Sequence, residues 1–396
     1  MDGTTYTDLQ AFEVIANVDY INVNINNIAT TITSKGRLFY NADSPSQGLG
    51  FAYKDSFMAY ECGLIIGASS AKVVNNIRST AGAADNDFRS MVSVKRNRIN
   101  PISDFDLFGK FNDSLALASA MLNIQVPHKS FAWNEPEQLK YVIVEYTIKN
   151  KSTAALNNLY AGIFTDWDIQ RYNMNKSDQD PAIKLGYAYC TPSTELYAGV
   201  KVLTAAPFNL YAADNVTGGG GGIDMSDGFD TAEKYQALST SRPQAGTTGT
   251  GVDVINVVST GPFNISVGDS VTVAFALIGG DDFADLRTSA NNAQIKYDAM
   301  FAGINDVENG DVASIYNYPN PTNGNTKFIF NISKNSNVSL VLYDATGKFI
   351  KTIVNTKYAK GSNSIDADLT SLSQGLYTYV LKTDDATVVK KLSITK

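Results

Sequence analysis

The chain has 396 residues, 44% hydrophobic and 18% charged, with a formal net charge of −7. It is long enough for two or three domains and apolar enough for real cores. The acid excess and the lack of any basic run exclude a phosphate-neutralising, nucleic-acid-binding role, and without eighteen consecutive apolar residues no transmembrane helix is expected.

Twenty-one tyrosines and nineteen phenylalanines, with abundant Val, Thr, Ile, Asn and Gly, favour β structure. The opening MDGTTYTDLQ has neither a basic n-region nor an apolar h-region, so it shows no secretory leader. Residues 1–305 read as strand after strand of one β-rich region, a large sandwich. Its two cysteines, Cys62 and Cys190, suit either an oxidising or a reducing compartment, and their spacing decides nothing about pairing. YVIVEYTIKN places Val142, Val144, Tyr146 and Ile148 on one strand face, and NLYAGIFTDWDI follows after a turn. GPFNISVGDSVTVAFALIGG gives two strands hinged at Gly268-Asp269, the second nearly continuously apolar and therefore expected to be buried on both faces. Asp281-Asp282 then supplies an N-cap. Phe283, Leu286, Ala290, Ala293, Tyr297 and Met300 recur at helical spacing, predicting a helix that closes the region. The five glycines of NVTGGGGGIDMSDGFD preclude a regular element there, whereas Asp230 or Thr231 can cap a short helix.

Residues 306–317 read as an exposed linker, and the pattern changes after it. KFIFNI, NVSLVLYD, KFIKTIV, NSIDADL, GLYTYVLKT and VVKKLSITK are short strands at close spacing, enough for a small seven-strand, immunoglobulin-like sandwich over 318–396. Val338, Leu340 and Leu342 share one face, DATGK is a hairpin with Gly347 at positive φ, and Leu369 and Leu372 should plug the core edge. The fold class expected for the whole chain is all-β.

Four segments of this last region occur together and in order: YPNPTNG (318–324), VLYDATGK (341–348), LTSLSQGLYTYVLKT (369–383) and VVKKLSITK (388–396). With them the region resembles the type A sorting domain of the type IX secretion system. The resemblance implies recognition by the outer-membrane translocon and its sorting machinery, and then release or attachment to surface lipopolysaccharide after cleavage. By match, Pro319, Asn320, Pro321 and Gly324 carry the first motif, Gly347 the second, Gly375 and Tyr377 the third, and Lys390 and Lys391 the last. Upstream, CGLIIGASSAKVVNNIR, YVIVEYTIKNKS and GPFNISVGDSVTVAFALIGGDDFADL are similar to a non-catalytic β-rich segment of surface proteins in the bacteria that use this secretion system. There it often follows a subtilisin-like serine peptidase domain, which would lie ahead of residue 1.

Catalytic chemistry finds little footing. A subtilisin-like triad needs acid, histidine and serine in that chain order. The single histidine, His128 in VPHKS, reads as a loop residue and follows Ser69 and Ser70 of GASSAKV. One histidine and two distant cysteines offer no zinc spacing. Calcium is the one cofactor to consider, because Asp166, Asp168, Asn173, Asn175, Asp178 and Asp180 fall within fifteen residues, although the glycine and terminal glutamate of an EF-hand are absent. Trp133 and Trp167 are candidates for stacking on a sugar. Asp113-Ser114-Leu115, Asp230-Thr231-Ala232 and Asp269-Ser270-Val271 fit a short O-glycan acceptor pattern at Ser114, Thr231 and Ser270. The leading expectation is a non-enzymatic, secreted or cell-surface β protein, the accessory part of a serine peptidase. A stand-alone adhesin or carbohydrate-binding module is the alternative. A glycosidase stays open as well, since its carboxylate spacing is spatial.

Overall fold

A computed structural model describes residues 18–42, 46–80, 82–98, 101–192, 195–301, 313–320, 322–332, 334–344, 348–384 and 387–395. The chain divides between Gln294 and Ile295 into two compact units. All the named strands pair antiparallel within their sheets, so the all-β expectation holds.

The first unit is built on two large sheets. The main path of one runs Tyr20–Val23, Ile28–Thr33, Arg37–Leu38, Ser56–Ser69, Leu156–Trp167, Val254–Ile265 and Phe208–Asp214, with Phe51–Tyr53 and Lys72–Asn75 joined beside it. The other runs Asn175–Asp180, Leu185–Cys190, Tyr197–Val202, Ser270–Gly280, Tyr141–Asn150, Ile124–Ala132, Phe105–Asn112 and Arg89–Asn97. Their inner faces meet in one apolar core. Cys62, Leu64, Ile163 and Val258 come from the first sheet, and Val144, Val200, Phe275 and Leu277 from the second. Alternation explains the choice: Val142, Val144, Tyr146 and Ile148 all turn inward.

Residues 273–280 of strand Ser270–Gly280 are buried on both faces, and helix Phe283–Phe301 approaches its end so closely that a Cβ at Gly280 would stand 2.7 Å from the Leu286 backbone. Leu286, Ala290 and Ala293 are fully buried. Asp282 accepts from the Asp285 amide at 2.8 Å, and Asp285 returns the bond to the Asp281 amide at 2.8 Å, satisfying two otherwise orphaned donors. The helix is pinned to the sheet by Lys140 with Asp285 at 2.7 Å and by Arg287 with Asp180 at 2.9 Å. On the opposite side of the unit, helix Thr231–Ser239 covers the outer face of the first sheet. It is opened by a capping box of Asp230 and Glu233. A Cβ at Gly162 would stand 2.8 Å from Leu238, so that strand must be bare where the helix crosses it. The run Gly218–Gly222 is irregular apart from a one-turn 3₁₀ segment, with four consecutive residues at positive φ.

His128 is not a loop residue. It sits in strand Ile124–Ala132, facing Gly109 and Tyr146 across the ladder, with its ring against Phe111 at 5.6 Å. Cys62 and Cys190 are both unpaired, buried thiols.

The second unit contains a three-plus-four sandwich. Ala313–Tyr318, Asn325–Ile332 and Gly361–Asp368 form one sheet, and Phe349–Tyr358, Ser336–Asp344, Gly375–Lys382 and Thr387–Ile394 the other. The expected linker is corrected at its end, because residues 313–317 belong to the first strand and hydrogen-bond to Asn325–Ile332. That strand alternates too weakly in sequence to announce itself. Phe328, Phe330 and Ile332 pack with Val338, Leu340, Leu342, Tyr379 and Leu381, and Leu369 is buried at the edge. Asp344 and Lys348 close the expected hairpin at 3.0 Å, while Gly347 lies outside the described residues.

Candidate functional site

The first sheet carries an unusual arrangement on its outer face. Glu61 on Ser56–Ser69 stands in register with Asp166 on Leu156–Trp167, two carboxylates directly opposite across neighbouring strands. Such a pair repels, so the fold must supply positive charge. Arg78 does so: it donates through Nε to Glu61 at 2.6 Å, through its backbone amide to Glu61 at 2.8 Å, and through Nη2 to Asp166. Its guanidinium lies 5.3 Å from the Phe164 ring centre. Arg37 adds a longer contact to Glu61 at 3.4 Å and holds the Asn76 carbonyl at 3.2 Å. Asn215 extends the line, donating to Asp166 at 3.3 Å and to Asp253 at 3.2 Å.

This network floors a cleft of about 630 Å³, within the size range of small-molecule sites. Tyr60 and Tyr172 line it and remain 40% and 56% exposed. Asp168 and Asp253 also line it, without arginine partners of their own. Asp253 is pushed up to about 7, by burial first and then by the charge of Asp166. Asp168 is raised to about 6 for the same two reasons. In Asp166 burial outweighs Arg78, leaving its carboxyl above the usual range. The Asp253 Oδ1 atom is buried and has no hydrogen-bond partner among the described residues.

A raised aspartate is a stability statement with a definite sign. Between the unfolded pKa near 4 and the folded value near 7, the folded state holds the extra proton, so stability falls as pH rises through that window. Asp253→Asn keeps an acceptor for Asn215 and removes the charge. It should gain about 1–2 kcal/mol at pH 8, the figure being reduced because the site is half-open and screened, and nothing at pH 4. Urea unfolding at the two pH values checks this; an equal effect at both would contradict it.

Of the six calcium candidates, only Asp166 and Asp168 reach the cleft. Asp178 and Asp180 lie in the opposite sheet, where Asp178 accepts from Gln244 at 3.0 Å and Asp180 pairs with Arg287. Asn175 is fully buried, its side chain folding the chain back by bonds to Ile169 and Arg171. Asn173 is exposed in the turn Tyr172–Met174. A strand end and a sheet change separate groups that are close in sequence, and no cluster of three or more acidic, histidine or cysteine side chains able to hold a metal occurs among the described residues. The tryptophans are also reassigned. Trp167 is 1% exposed and Trp133 2%, both packed against other rings, so neither offers a sugar a face. The exposed aromatics of the cleft, Tyr60 and Tyr172, were not legible as such, since nothing in sequence distinguishes them from nineteen other tyrosines. Ser114 and Ser270 are exposed, whereas Thr231 is half-buried in the first turn of its helix.

In the second unit the first and last sequence motifs prove to be one structure. Asn320 donates to the Lys391 carbonyl at 2.9 Å and accepts from the Ser393 amide at 2.9 Å. Thr322 continues the pairing, its amide donating to Ser393 at 2.9 Å and its carbonyl accepting from Thr395 at 2.8 Å. The motif therefore caps the open edge of the final strand. Gly324, at φ +120°, is required because a Cβ there would stand 2.7 Å from the Thr370 backbone. Tyr377 is buried and donates its hydroxyl to the Ser373 carbonyl at 2.9 Å, on the strand that Gly375 opens. Lys390 is half-buried and Lys391 exposed, while Pro319 is exposed and Pro321 lies outside the described residues.

Residues 316–395 match the family model described as the secretion system C-terminal sorting domain. This part of the chain is a type IX sorting domain, and it directs export across the outer membrane, to the cell surface or the medium. No helix among the described residues is long and apolar enough to cross a membrane. No curated protein matches the chain. Among solved structures it is similar to heparinase III, with 7% identity over 95% of this chain and 41% of that one and a TM-score of 0.33. It is also similar to heparan sulfate lyase HepC from Pedobacter heparinus, at 9% identity, 78% and 38% coverage and a TM-score of 0.33. Dimeric latent PorU from Porphyromonas gingivalis follows at 9% identity, 89% and 36% coverage and a TM-score of 0.19. The chain spans about two fifths of the length of the lyases it matches.

Proposed function

We propose that this is a non-enzymatic accessory protein of the cell surface, whose large β unit works beside a catalytic partner and whose sorting domain delivers it. The observation that carries the non-enzymatic reading is the placement of the chain's only histidine. His128 is buried and held neutral, its pKa lowered to about 4 by burial, and its Nε2 has no hydrogen-bond partner among the described residues. Burial also pushes the Cys62 thiol up, away from the thiolate a nucleophile needs. No serine or cysteine nucleophile can be served by such a base.

Association with a subtilisin-like peptidase is supported by the sequence resemblance of the upstream strands, and lipopolysaccharide attachment by the character of the sorting domain. Purified chain should give no turnover of casein, chromogenic esters or glycosides above buffer. Turnover removed by a single carboxylate or serine substitution would overturn the reading. Attachment predicts a ladder of slow-migrating forms for protein taken from the cell surface and a single band for protein made without export.

A second reading, a glycan-binding module, is favoured by one observation: the cleft presents two exposed tyrosines, Tyr60 and Tyr172, beside the carboxylate of Asp168.

A further inference from the structure

We infer that the cleft over the Glu61–Arg78–Asp166 network is a binding site for a short, uncharged glycan, with Tyr60 and Tyr172 supplying ring surface and Asp168 accepting from its hydroxyls. The inference deepens the glycan-binding reading and rests on it.

Charge narrows the class first. Four carboxylates line the cleft against two arginines, and both arginines are already engaged. Uronates and sulfated sugars would meet an uncompensated negative lining, which costs more as the site loses water. Geometry argues against a metal ion, since no three acidic side chains converge among the described residues.

The rest of the lining has the make-up of a sugar site. An exposed phenol offers an apolar ring to the C–H face of a pyranose and a hydroxyl at its edge. The floor beneath is fixed: Glu61 and Asp166 are 6% and 4% exposed, and their arginine bonds leave little freedom to reorganise on binding. Asp168 lines the cleft half-buried, a carboxylate acceptor within reach of a bound hydroxyl.

The test is calorimetric titration of the full chain with maltotetraose, cellotetraose, mannotetraose and xylotetraose, with a heparin tetrasaccharide and trilysine as charged arms. One neutral sugar should bind, and Tyr172→Ala and Asp168→Asn should each weaken it by about tenfold. Tyr172 is exposed, so an unchanged melting temperature separates lost contact from lost fold. Silence with all four neutral sugars, binding indifferent to both substitutions, or preference for heparin or trilysine would each overturn the inference. Appearance of new reducing ends during binding would leave the site standing and overturn the non-enzymatic reading instead.

Discussion

Replacing Arg78 with alanine is expected to be the most damaging single change in the large unit, costing about 3–5 kcal/mol. Arg78 answers two carboxylates that the strand register forces together, Glu61 and Asp166, both nearly inaccessible to water. Without it they repel one another in a poorly hydrated site, and the Phe164 ring loses its cation. The loss should depend on pH in a specific direction. Asp166 already lies above the usual carboxylate range, and removing Arg78 takes away the influence that lowers it. The variant's folded state then binds protons at a pH where the unfolded chain does not, so its deficit grows with rising pH and shrinks on acidification. Denaturant unfolding of parent and variant between pH 5 and pH 8 measures this. A second comparison separates charge from packing. Adding Glu61→Gln and Asp166→Asn to Arg78→Ala should recover part of the loss, since the group left buried and unpaired is what costs most. A loss independent of pH and not recovered by neutralisation would show that Arg78 acts only by filling space.

This network also marks where sequence reading ends. Strand faces were legible because alternation is local: Val142 to Ile148 and Val338 to Leu342 point where their spacing says. The helix after Asp281-Asp282 was legible for the same reason, as was the sorting domain, whose motifs are fixed by turns and by the core they enclose. The cleft was not. Its residues come from strands and loops far apart in the chain, and only the register of Ser56–Ser69 against Leu156–Trp167 sets Glu61 beside Asp166. Residues that are dense in sequence, from Asp166 to Asp180, are instead distributed over two sheets. Tryptophan went the same way. Its rarity invites a functional reading, while its area favours burial, and at Trp133 and Trp167 burial prevails.

Deleting Thr387–Lys396 should abolish export, and the reason is structural before it is a matter of recognition. The final strand contributes Val388, Leu392 and Ile394 to the core of the second unit. Losing three buried aliphatic side chains, at about 2–5 kcal/mol each, exceeds what a domain of this size can spare from a total stability of about 5–15 kcal/mol. Asn320 offers a finer test, because it touches the same strand only through its amide. Asn320→Ala removes two exposed backbone bonds, so it should cost no more than about 1–2 kcal/mol and leave the sandwich folded. If the translocon reads the capped edge of the last strand, Asn320→Ala will lower export far more than its stability loss accounts for. If only the folded sandwich matters, export will follow melting temperature across both variants. Fusing residues 306–396 to an inert reporter supplies the control: the second unit has its own core, and the fusion should reach the surface of a type IX-competent host. A reporter retained in the periplasm would mean that the large unit takes part in delivery after all.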